Sequence, residues 1–129
     1  MKKAVSIITA ICLIISLATP VLARYQYIDR ISANLTISSS GTATCDGLVT
    51  SISAGGNGEV TVTLERFVNG SWTYVNSWTT TGRALYTTGT HSQSVTSGFW
   101  YRVVVVGKVY NSSGTLLETA DITTGARYY

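Results

Sequence analysis

Few side chains in this sequence could do covalent or acid–base chemistry, and their spacing argues against it. There is one histidine among 129 residues, His91, in the polar run Thr90-His91-Ser92-Gln93. The six carboxylates, Asp29, Asp46, Glu59, Glu65, Glu118 and Asp121, stand singly along the chain, with no pair at an acid/base spacing. No serine occupies a nucleophile elbow, and Gly55-Gly56-Asn57-Gly58 precedes a strand pattern, so it reads as a loop and not as a phosphate cradle. His91 itself reads as a solvated loop residue. One histidine with one retained cysteine cannot build a zinc site, and no Asp-x-Asp run suggests calcium. The expectation is a protein that is not an enzyme and carries neither cofactor nor metal.

What remains is contact chemistry, carried by aromatic and arginine side chains. Phe67, Trp72, Tyr74 and Trp78 cluster around the turn Asn69-Gly70. Trp100, Arg102 and Tyr110 alternate along one later segment. Rings on an open face stack on sugars or on a protein partner, and arginine covers them by cation–π contact.

These residues must be held by β-strands. No sustained helical period exists, and Thr, Val, Ser, Tyr and Trp are punctuated by Gly–Asn–Ser clusters every eight to twelve residues or so. About seven strands are expected: 31–38, 43–52, 59–68, 72–80, 84–95 with a break, 99–110 and 116–124. Ile31, Ala33, Leu35 and Ile37 share one face, as do Val60, Val62 and Leu64, and this period of two marks half-solvated antiparallel sheets. In the sixth strand Phe99, Tyr101, Val103, Val105 and Val109 should point inward, leaving Trp100, Arg102, Val104, Val106, Lys108 and Tyr110 on the outer side.

The loop at Asn69-Gly70 governs where the rings go. A two-residue type I′ turn would pair Phe67 with Trp72, Glu65 with Tyr74 and Thr61 with Trp78. All four aromatics would then form an outer platform. A three-residue loop with Gly70 in a G1 bulge would instead set Leu64 opposite Tyr74, Val60 opposite Trp78 and Arg66 opposite Trp72. A slip of one residue reverses every side chain. Each large side chain buried stabilises by roughly 1.5–3 kcal/mol, which favours the bulged register, with Tyr74 and Trp78 in the core and Arg66 over Trp72.

The amino terminus gives an address. Met1-Lys2-Lys3 is a positive start, Ala4 to Thr19 is an apolar run, and Val21 and Ala23 are small residues at a cleavage site. Residues 1–23 read as a signal peptide, and 24–129 as one secreted, extracellular domain. The apolar run is too short to span a membrane, and the carboxyl end carries no apolar anchor, so no stable membrane insertion is expected after cleavage. Loss of Lys2 and Lys3 takes the net charge from +3 to +1, too little for a nucleic-acid footprint. Cys12 would depart with the leader, leaving Cys45 as a lone, buried thiol. Asn34-Leu35-Thr36, Asn69-Gly70-Ser71 and Asn111-Ser112-Ser113 match the glycosylation pattern, as Ser/Thr/Asn-rich chains do by chance.

The run Phe99-Trp100-Tyr101-Arg102-Val103-Val104-Val105 resembles the penultimate strand of immunoglobulin-like and fibronectin type III sandwiches. That resemblance implies an all-β, immunoglobulin-like antiparallel β-sandwich with Tyr101 in a tyrosine corner. Ile31–Ile37, Gly41–Gly47, Leu64–Trp72 and Trp100–Val103 together resemble small secreted proteins of Gram-positive bacteria whose function is uncharacterised. This likeness implies no active site. The expected function is surface binding to an extracellular protein or cell-envelope component through Arg66, Phe67, Trp100, Arg102 and Tyr110. The alternative is a carbohydrate-binding module using Phe67, Trp72, Tyr74 and Trp78.

Overall fold

The computed structural model describes residues 25–52 and 55–129, so the leader expected over 1–23 lies outside the described residues. Eight strands follow in chain order: β1 (Ile28–Ile37), β2 (Thr42–Ser51), β3 (Asn57–Val68), β4 (Ser71–Arg83), β5 (Thr87–Ser94), β6 (Trp100–Tyr110), β7 (Leu116–Thr123) and β8 (Arg127–Tyr128). The seven strands read from sequence are all present, with ends displaced by a few residues. The short β8 is an addition. All pairings are antiparallel, in a three-stranded sheet β1-β2-β5 and a five-stranded sheet β4-β3-β6-β7 whose β8 also pairs with β6. This is a β-sandwich.

Alternating apolar residues of the two sheets meet in its interior. Leu35, Ala43, Cys45 and Val49 come from the smaller sheet, and Val60, Val62, Leu64, Tyr101, Val103, Val105 and Val109 from the larger. The layers approach closely at two glycines. A Cβ on Gly47 would lie 2.7 Å from a Val62 methyl, and one on Gly107 would lie 2.9 Å from a Val49 methyl. Tyr101 is buried, yet its hydroxyl donates to the Thr96 carbonyl at 2.6 Å and accepts from the Thr96 N–H at 3.1 Å. Those bonds satisfy the phenol and fasten the 95–99 loop to the base of β6, as the tyrosine-corner expectation required.

The start of β1 is held by another polar anchor. The Glu118 carboxylate accepts backbone N–H groups of Gln26 at 2.8 Å, Tyr27 at 3.3 Å and Ile28 at 3.1 Å, tying the chain entry to β7.

The β3–β4 hairpin differs from expectation. Val68 pairs with Ser71 and Phe67 with Trp72, so the loop has two residues, not three. Asn69 (φ 49°) and Gly70 (φ 83°) both lie in the left-handed region, as a type I′ turn demands. Leu64 then pairs with Asn76, not Val75, so Val75 is an extra residue in β4. Beyond this bulge the faces exchange, and Trp78 sits opposite Val62 and packs against the core. Tyr74, expected in the core opposite Leu64, pairs instead with Glu65 and is 67% exposed. The tight turn and an indole packed on the core coexist because one inserted residue restores the phase.

Trp78→Ala should therefore cost about 3–5 kcal/mol in urea denaturation, whereas Tyr74→Ala should stay within about 0.5 kcal/mol of the parent. Tyr101→Phe removes the corner bonds and leaves the Thr96 groups short of a partner. A loss of about 1–3 kcal/mol is expected from the same measurement.

Candidate functional site

The turn and the bulge together leave an aromatic field on the outer face of the larger sheet, at its hairpin end. Phe67 and Trp72 are cross-strand partners with ring centroids 5.2 Å apart, tilted by 59°. On β6, the strand next to β3, Trp100 pairs with Tyr128 of β8, with centroids 5.4 Å apart and the same 59° tilt. Phe67, Tyr74, Trp100 and Tyr128 are exposed, while Trp72 is half-buried. Monomeric proteins seldom leave so many large rings together on open surface, which makes this patch the candidate site.

Arg102 stands at its centre. It faces outward from β6 opposite Glu65, and its Nε donates to Glu65 Oε1 at 2.7 Å. Its guanidinium carbon lies 4.4 Å from the centre of the Trp72 ring, reaching over β3 to do so. With both partners part-exposed, the ion pair contributes no more than about 1 kcal/mol to stability. Its effect is to fix the arginine in direction, with one face of the Trp72 indole covered.

The expected binding residues do not all meet here. Phe67, Trp100 and Arg102 do, and so do Trp72 and Tyr74 from the sugar-platform alternative. Arg66 does not: it pairs with Tyr101 and lies with its guanidinium carbon 4.5 Å from the Phe99 ring centre, closing the end of the interior. The expected cover of Trp72 by Arg66 is thus supplied by Arg102, because Arg66 occupies an inward position of β3. Tyr110 lies at the other end of β6, ten residues or about 33 Å from Trp100. There it lines a cleft of about 510 Å³ with Asn57, Glu59, Thr81 and Arg83. Trp78 is on the opposite face from Phe67, Trp72 and Tyr74, so the four-ring platform does not form.

Sequence reading missed Tyr128 and Glu65. A two-residue strand leaves no alternation to detect, and Glu65 gains its role only through the β3–β6 register. Away from the aromatic field, the outer face of β3 and β4 is a hydroxyl ladder, with Thr61 to Thr79 at 3.0 Å and Thr63 to Ser77 at 2.9 Å.

His91 is not a solvated loop residue. It belongs to β5, pairs with Cys45, and stacks on Trp78 with centroids 4.9 Å apart and planes 3° from parallel. Its Nε2 is buried and has no hydrogen-bond partner. Asn76 of β4 donates to Gln93 of β5 at 2.9 Å beside it, so His91 fills the seam where the two sheets meet. Among the described residues no three His, Cys, Asp or Glu side chains gather as a metal-binding set. No helix among them is long and apolar enough to cross a membrane.

Cys45 is fully buried in β2. Burial, reinforced by the neighbouring Asp46 carboxylate, pushes its thiol up from 9.0 to about 11. A thiol that keeps its proton is a poor nucleophile.

No protein-family model matches the chain, and comparison with curated proteins finds no match. Among solved structures, the solution structure of CsgH from R. palustris is similar at 15% identity, over 73% of this chain and 90% of that one, with a TM-score of 0.41. Likeness at that level carries no functional assignment.

Iodoacetamide at pH 8 should leave native Cys45 unlabelled for as long as the sandwich is folded, and label it promptly in urea. The unfolded chain releases the thiol proton near pH 9, whereas the folded chain holds it to about pH 11. Stability should accordingly fall as pH rises through that window, and Cys45→Ala should show a shallower decline in alkaline urea titrations.

Proposed function

We propose that this chain is a secreted, non-catalytic binding domain of a Gram-positive bacterium that engages an extracellular protein or cell-envelope component. One observation carries the reading. Phe67, Trp72, Tyr74, Trp100 and Tyr128 come from four strands and converge on one outer face around Arg102. Large amphipathic rings with a central arginine are the residue types that dominate binding energy at protein interfaces. The sheet beneath them is fixed by the tight turn, the Tyr101 corner and the packed valines, so little ordering cost is incurred on binding.

Chemistry supports the non-catalytic reading. His91 is committed to stacking in the sheet seam, Cys45 to the core, and Glu118 to backbone N–H groups.

A carbohydrate-binding module is the second reading, and the exposure of Tyr74 beside Trp72 favours it. Sugar platforms need open ring faces set flat to the ligand. Here the ring pairs are tilted by 59° and Arg102 covers one face of Trp72. These features suit the uneven surface of a protein better than a pyranose ring.

The test uses mature 24–129 protein on a glycan array and in pull-downs from producer-cell envelopes, beside Trp72→Ala and Trp100→Ala. Capture of an envelope protein by the parent, at least about tenfold weaker for each variant at unchanged melting temperature, is the expected result. Capture indifferent to both substitutions would refute the proposed surface. Selective glycan binding lost with Trp72 would move the protein to the carbohydrate reading.

A further inference from the structure

The central arginine narrows the chemistry of the partner. Arg102 is held on two sides: its Nε donates to Glu65 at 2.7 Å and its guanidinium carbon lies 4.4 Å from the centre of the Trp72 ring. Among the described residues neither terminal Nη nitrogen has an acceptor, and the side chain is 30% exposed. The guanidinium therefore shows solvent its outer edge, a planar pair of donors oriented in advance. That edge matches the two oxygens of a carboxylate, and a charge-assisted pair of this kind is among the stronger directional contacts available at a surface.

Resting on the outer-face reading above, we infer that the occupant is an acidic peptide segment, with an aspartate or glutamate set between apolar side chains. Its carboxylate takes the free edge of Arg102, and its apolar neighbours lie against Trp72 and Phe67 on one side and Trp100 and Tyr128 on the other. Three features select this ligand. Glu65 stands beside Arg102, so a doubly charged phosphate is repelled more strongly than a single carboxylate. Glu65 engages through Nε, so the incoming acid uses a different edge of the guanidinium and does not have to displace it. The ring pairs, each tilted by 59°, present no flat platform for a sugar acid, whereas apolar side chains pack against tilted rings.

The experiment titrates ¹⁵N-labelled 24–129 protein with a capped pentapeptide carrying one central aspartate between leucine and phenylalanine residues. The same peptide with asparagine at the centre and a glucuronate oligosaccharide are run in parallel. The indole N–H signals of Trp72 and Trp100 and the Nε–H of Arg102 report binding. The aspartate peptide should move all three and saturate, with the asparagine peptide about tenfold weaker or worse. Arg102→Gln should bring the aspartate peptide down to the asparagine level. The comparison of the two peptides on the parent protein needs no variant, so a folding defect in Arg102→Gln would not blunt it. Equal affinity for both peptides would overturn the acidic preference while leaving the binding surface standing. No movement with either peptide, or movement only with the glucuronate oligosaccharide, would overturn the inference outright. Failure of the surface itself reads out separately, as envelope capture indifferent to Trp72 and Trp100.

Discussion

Val75 is one residue more than the ladder between β3 and β4 can pair, and much of the molecule follows from it. A type I′ turn at Asn69-Gly70 matches the twist of its flanking strands but commits Phe67, Trp72 and Tyr74 to the outer face. Continued unbroken, the same register would carry Trp78 outside as well. The interior would lose its largest lateral plug, and the seam against β5 would lose the partner of His91. The bulge reverses the phase in a single step, so β4 has an outward aromatic half and an inward half closed by Trp78. Local turn chemistry and burial are both satisfied, and neither has to yield.

The same strand geometry separates two arginines that look alike in sequence. Arg66 and Arg102 both sit beside aromatic residues on neighbouring strands. Arg66 falls on an inward position and caps the interior under Phe99. Arg102 falls on an outward one, where Glu65 and Trp72 fix its direction. One has become part of the packing and the other a displayed donor. The rings around Arg102 are steadied from below, because Trp100 immediately precedes the buried Tyr101 and its two bonds to Thr96.

Turn clusters and alternation together located the strands and most of the interior, since a period of two is written into Val60, Val62, Leu64 and into Tyr101, Val103, Val105. The site was only half legible. Phe67, Trp72, Tyr74, Trp100 and Arg102 could be named, but their grouping depends on which residues oppose one another across three strands. A bulge leaves no composition signal, so the choice between two uniform registers omitted the mixed one that forms. His91 misled because its sequence neighbours are polar. Its inward position comes from pairing with buried Cys45, a relation set by the β2–β5 ladder. Tyr128 was invisible for the opposite reason, being part of a strand too short to show a pattern.

Open sheets carry a hazard of their own, since each outermost strand offers a ready template on which another molecule can add and propagate a fibre. This chain has no proline after residue 20 to interrupt such growth. Its lateral strands are broken in other ways. The ladder of β1 is irregular at Ile28/Arg30, and β5 is short and wholly polar from Thr87 to Ser94. Val75 puts a bulge in β4, and the border beyond β6 is divided between β7 and the two residues of β8, with a break at 125–126 between them. The insertion that sends Trp78 inward thus also denies neighbouring molecules a straight rail along β4, so one residue interrupts an edge while setting the outer aromatic face.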